Sequence, residues 1–149
     1  LYSLMASALL TLSVIDWRTF EIPFGINVFL GVLGVVAVFL EKEEWLSHLI
    51  GAVCVSGVLL ILYLLSNGRA IGGGDIKLMP ACGLLLGWQK IILAFLLGCI
   101  LGSVVHLLRM KVSGEGHVLA MGPYLAAGIF LAALFGERWI NWYLSLLVC

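Results

Sequence analysis

From Trp45 to Leu65 the chain carries no Asp, Glu, Lys or Arg. An α-helix crosses the hydrocarbon core of a bilayer with about 20 predominantly apolar residues, in a range of ~17–25. Similar runs recur at Leu1–Ile15, Ile22–Leu40, Ile71–Trp88, Lys90–Leu108 and Val118–Phe135, with short polar stretches between them. Hydrocarbon offers no partner to an open backbone N–H or C=O, so such runs must close their hydrogen bonds within a helix. The pattern predicts an all-α, polytopic membrane protein of about six transmembrane helices. Composition excludes the soluble alternative: 63% of residues are hydrophobic and 11% charged, against roughly 25% charged in soluble chains.

The punctuation supports this division. Trp45 stands at a run boundary, where its amphipathic ring suits the membrane interface. Pro23 is expected in the first turn of the second helix, where its missing N–H costs nothing. Glu41-Lys42-Glu43-Glu44 and Ser66-Asn67-Gly68-Arg69 are turns by composition. After Glu137-Arg138, Trp139–Cys149 is expected as an interfacial tail or the start of a seventh span. The chain opens at Leu1 and closes at Cys149 inside apolar sequence, so it is expected to be trimmed at one or both ends of a single domain, 1–149. Net charge is zero, from eight basic and eight acidic residues, which points away from nucleic acid. The four cysteines stand singly, with neither zinc-ligand nor disulfide-framework spacing. No metal and no cofactor is expected.

Against this background one stretch stands out, Gly72-Gly73-Gly74-Asp75-Ile76-Lys77-Leu78. A charged side chain near the bilayer centre costs about 2.5–3.5 kcal/mol even on the gentlest scale, so Asp75 is a functional-site candidate. The glycines predict an irregular loop, tolerated at that depth only where it is buried in protein or lines a wet cavity. Asp16 is the other acid set in an apolar run, Leu12-Ser13-Val14-Ile15-Asp16-Trp17-Arg18. Lys and Arg in alternate connections number five (Arg18, Arg69, Lys77, Arg109, Lys111) against three (Lys42, Lys90, Arg138). The excess marks the cytoplasmic side, and both acids fall on it. Two neighbouring carboxyls cannot both ionise cheaply, so they share a proton. One can then take a proton from water while the other gives one to a peptide carbonyl. Gly72, Gly73 and Gly74 would let a backbone approach Asp75 closely. Lys77, two residues on, falls on another helix face and is expected to reach for the headgroups.

Asp16-Trp17-Arg18 with Ile22-Pro23, then Gly72-Gly73-Gly74-Asp75-Ile76-Lys77-Leu78, then Gly122-Pro123-Tyr124-Leu125-Ala126 resemble the type IV prepilin peptidases, in the same order. Those are intramembrane aspartic proteases of the GxGD type. Gly72, Gly74 and Asp75 match the fixed positions of that motif. Phe24 and Ala120-Met121 depart from residues common in the family. The resemblance implies Asp16 and Asp75 as catalytic acids in a bacterial or archaeal cytoplasmic membrane, with the site on the cytoplasmic face. It implies a prepilin-like substrate with a basic leader and a hydrophobic helix. It covers the catalytic half only: no paired CxxC motif occurs here, so methyl transfer is not expected.

A small transporter or channel using the two acids for cations or protons is the competing class. Transporters often show broken helices in matching halves, and only one glycine-broken segment is visible here. Gly83/Gly87 and Gly98/Gly102 are GxxxG spacings and are expected to pack helices. His48 and His106, at run ends, are expected as interfacial or capping residues.

Overall fold

A computed structural model describes residues 2–19, 23–67, 73–113 and 122–148, with the side chains of 2, 73–75, 113 and 122 excepted. Among these residues there are six α-helices and no strand: α1 (Tyr2–Thr19), α2 (Phe24–Leu40), α3 (Trp45–Leu65), α4 (Gly73–Leu86), α5 (Trp88–Ser113) and α6 (Gly122–Val148). A short 3₁₀ turn, Lys42–Glu44, joins α2 to α3. Two segments, Lys42–Leu65 and Trp88–Val112, are long and apolar enough to cross a membrane. Only 22% of each apolar window is buried inside the protein. A core helix of a soluble protein would be mostly buried; here Val53, Ile61, Leu65, Ile100 and Leu107 face outward, a surface suited to hydrocarbon.

The centre of the bundle is α4. Leu78, Met79, Ala81, Cys82, Leu85 and Leu86 are all buried, which leaves it almost no outward face. That enclosure, by α2, α3 and α5, keeps α4 helical although Pro80 removes one of its hydrogen bonds. It is also short. At about 1.5 Å per residue it spans roughly 20 Å, less than the ~30 Å hydrocarbon core.

Two close crossings hold the helices together. Where α3 meets α4, a Cβ at Gly51 would stand 2.7 Å from the Gly83 oxygen and 2.6 Å from the Gly87 carbonyl carbon. A Cβ at Gly83 would run into the Gly51 carbonyl. Gly87, at φ +88°, is the single residue between α4 and α5, a backbone conformation that side chains rarely adopt. Where α5 meets α6, a Cβ at Gly98 would lie 2.9 Å from Leu125 Cδ2, and one at Gly128 would meet Ala94 O. The expected packing role of Gly83, Gly87 and Gly98 is thus realised in backbone contact, which only small residues permit.

Several expected boundaries shift. Pro23 precedes α2 in an extended conformation (φ −62°, ψ 134°) instead of occupying its first turn. Helix α1 runs past Ile15 to Thr19, whose hydroxyl donates back to the Ile15 carbonyl at 2.8 Å. Arg109 and Lys111 lie inside α5, not in a loop. Glu137-Arg138 does not end α6 either: Lys90 Nζ donates to Glu137 Oε1 at 3.1 Å, and Phe135 stacks on Trp139 at 5.8 Å. Residues 139–148 therefore continue the sixth helix, and no separate tail or seventh segment begins there.

Candidate active site

On α1 the buried residues Met5, Leu9, Leu12 and Asp16 recur at intervals of three and four, one face of an amphipathic helix. Asp16 continues that stripe inward. It is 5% exposed, whereas its neighbours Trp17 and Arg18 point out. A buried carboxylate at the end of an otherwise apolar stripe has no packing rationale. Trp17 receives Arg109 over its ring at 5.8 Å, an exposed cation–π contact between side chains of α1 and α5.

Asp75 is the third residue of α4. The expected glycine loop is corrected here: Gly73, Gly74 and Asp75 already belong to the helix. Gly72 lies outside the described residues, as does the Asp75 side chain. Lys77 is exposed, away from the buried positions Leu78 and Met79.

The two acid-bearing helices do not pack on each other among the described residues. Instead α2 and α6 each touch both. Helix α2 runs parallel to α4: Gly34 meets Ala81 and Leu84, while Glu41 at its end reaches His48, which bonds Leu84. Asn27 lies in the first turn of α2, at the opposite end of that helix from Glu41. Asn27 is 7% exposed, and neither atom of its carboxamide has a partner; the Tyr124 hydroxyl, in the first turn of α6, is likewise buried without one.

Sequence reading passed over Asn27, although it is the one polar side chain between Phe24 and Leu40. The rule that singled out the acids, the cost of a charge near hydrocarbon, does not reach a neutral amide. His48 is buried and takes the capping role, one of the two expected for it. Its Nδ1 donates to Leu84 O at 2.7 Å, capping a carbonyl near the end of α4, and its Nε2 lies 3.1 Å from Glu41 Oε2. A polar groove of about 590 Å³ lined by Glu41, Ser47, Gln89, Lys90, Glu137 and Asn141 opens at that same end. It lies at the end of the bundle away from both acids.

The profile of the type IV leader peptidase family matches residues 3–107, a range that contains Asp16 and Asp75. A prepilin leader peptidase/N-methyltransferase of Legionella pneumophila is 28% identical over 153 residues, covering 97% of this chain and 53% of the relative. One from Aeromonas salmonicida is 35% identical over 102 residues, covering 64% and 35%. One from Bacillus subtilis is 28% identical over 143 residues, covering 94% and 57%. The chain thus spans about half the length, or less, of the curated relatives it matches. No solved structure matches it.

Proposed function

The chain belongs to the type IV leader peptidase family, and from that premise we propose that it is an intramembrane aspartic endopeptidase acting through Asp16 and Asp75. The observation that carries the reading is Asp16 itself. It is a buried acid on an apolar stripe, at the end of α1 nearest the start of α2, in a chain whose second acid opens the most enclosed helix. In this reaction one carboxylate takes a proton from water as the water oxygen attacks the scissile carbonyl carbon. The other carboxyl gives its proton to the carbonyl oxygen. The tetrahedral intermediate then collapses: one of its hydroxyls returns a proton to the second carboxylate as C=O re-forms, the C–N bond breaks, and the proton gained from water goes to the leaving amine.

The substrate is a prepilin-like precursor with a basic leader and a hydrophobic N-terminal helix, and the six helices all lie in the bilayer with the acid end facing the cytoplasm. Arg18, Lys77, Arg109 and Lys111 at that end support the orientation, against Lys42, Lys90 and Arg138 at the other. Cleavage at the leader–helix boundary leaves most of the substrate helix intact, whereas a cut at mid-bilayer would strip backbone groups of their partners. Of the two activities in the relatives' names, the proposal concerns peptide cleavage, because both acids lie in the matched range and no CxxC pair occurs in these residues.

The test is leader removal from such a precursor by the protein in membranes. Asp16→Asn and Asp75→Asn preserve shape but not proton transfer. Each is expected to lower the rate by at least about 10²–10⁴-fold, with the melting temperature unchanged. Near wild-type cleavage by either variant would remove that acid from the mechanism.

A further inference from the structure

Among the described residues the buried side-chain nitrogen and oxygen atoms without a partner are those of Asn27 and the Tyr124 hydroxyl. Both lie toward the acid-bearing end, on α2 and α6, the two helices that touch α1 and α4 alike. This distribution has no packing rationale. A polar side chain inside a helical membrane bundle ordinarily bonds across to a neighbouring helix, and a buried carboxamide with neither atom paired costs stability that an apolar residue would not. Elsewhere the same bundle does satisfy its buried polar groups: His48 has bonds at both ring nitrogens.

We propose that Asn27 binds the main chain of the substrate, its carboxamide pairing with a peptide group next to the scissile bond. This inference rests on the peptidase reading above. A carboxamide presents one acceptor oxygen and two N–H donors, the complement of a peptide group's own N–H and C=O. A bond about to be cut must lie in extended chain, where its peptide groups have lost their helical partners and, away from water, need new ones. Asn27 stands in the first turn of α2, the helix that packs on both acid-bearing helices. An apolar residue there would pack as well and offer nothing to a peptide; a charged one would compete with the acids for protons.

The experiment compares wild-type protein with Asn27→Ala, using a synthetic precursor that joins a basic leader to a hydrophobic helix. Asn27→Ala is expected to melt at or above the wild-type temperature, since it removes unpaired polar atoms. Its kcat/KM should fall about ten- to a hundredfold, mainly through KM. In the inactive Asp16→Asn background, adding Asn27→Ala should weaken precursor binding by a similar factor. The inference is overturned if Asn27→Ala keeps the wild-type kcat/KM, or if activity and melting temperature fall together, which would make Asn27 structural. A fall in kcat at constant KM, with binding intact in the Asp16→Asn background, overturns it too. Wild-type protein that removes no leader defeats the peptidase reading itself, whereas wild-type cleavage with equal cleavage by Asn27→Ala defeats this inference alone.

Discussion

The two ends of the bundle treat their buried polar groups in opposite ways. At the end marked by Gly87, α3, α4 and the 3₁₀ turn are locked together. Gly51 and Gly83 bring backbones into contact, and His48 ties the Leu84 carbonyl to Glu41. At the other end, the Asn27 carboxamide and the Tyr124 hydroxyl are buried without partners. Satisfied polar groups and direct backbone contact confer rigidity, while unsatisfied ones are retained only where something else requires them. One end thus reads as the anchor and the other as the working end. The anchor includes the α4–α5 junction at Gly87.

The contrast is broken most severely at Gly83. Its substituent would occupy the space of the Gly51 carbonyl, which is backbone and cannot rotate away. Gly83→Val is expected to cost at least about 3 kcal/mol, the upper range for overpacking, and to appear as lost folded yield and a lower melting temperature. A Gly83→Val protein that melts within a degree or two of wild type would show that the α3–α4 crossing is not the anchor. By contrast, Asp75→Asn at the other end of the same helix is expected to leave melting unchanged.

How much of this was legible in the sequence depends on what each boundary is made of. The limits of α3, Trp45–Leu65, were readable because polar residues flank an unbroken apolar run on both sides, so hydropathy and hydrogen bonding stop together. At Asp16 and Glu137 they do not. Hydropathy marks where side chains leave hydrocarbon, but the helix continues wherever its backbone remains bonded. Thr19, with its hydroxyl on the Ile15 carbonyl, and Glu137, held by Lys90, extend helices through residues that look like loops. The acids were legible as site candidates because a charge in an apolar run is costly. Asn27 was not, because a single neutral amide is cheap until the structure shows it to be unpaired. His48 was read as a residue of the helix end, where its bond to a carbonyl 36 positions away could not be seen.

His48 gives the intermediate test. His48→Ala leaves the Leu84 carbonyl without its partner inside the protein and opens a void beside it. A loss of about 1–3 kcal/mol is expected for the unsatisfied acceptor. Leader removal, measured well below the melting temperature, should keep its wild-type kcat/KM because His48 is remote from the acids. A variant that is fully stable, or one that is stable but inactive, would erase the distinction between the two ends.

The smallest effect belongs to the ion pair between α5 and α6. Lys90 Nζ and Glu137 Oε1 are 3.1 Å apart, but Glu137 is 80% exposed while Lys90 is 18% exposed. Exposed pairs contribute about 0.2–1 kcal/mol by double-mutant cycles, because water screens the attraction and two long side chains lose freedom. The partners are nevertheless unequal. The Lys90 stem lies against α6, its Cγ 3.3 Å from where a Cβ of Gly136 would stand, so truncating it removes packing as well as charge. Lys90→Ala should therefore destabilise more than Glu137→Gln, and the coupling energy from the double variant should stay below about 1 kcal/mol. Raising the salt concentration should shrink that coupling while leaving the Lys90→Ala packing loss unchanged. Equal losses at the two positions would mean that charge alone joins α5 to α6 at this point.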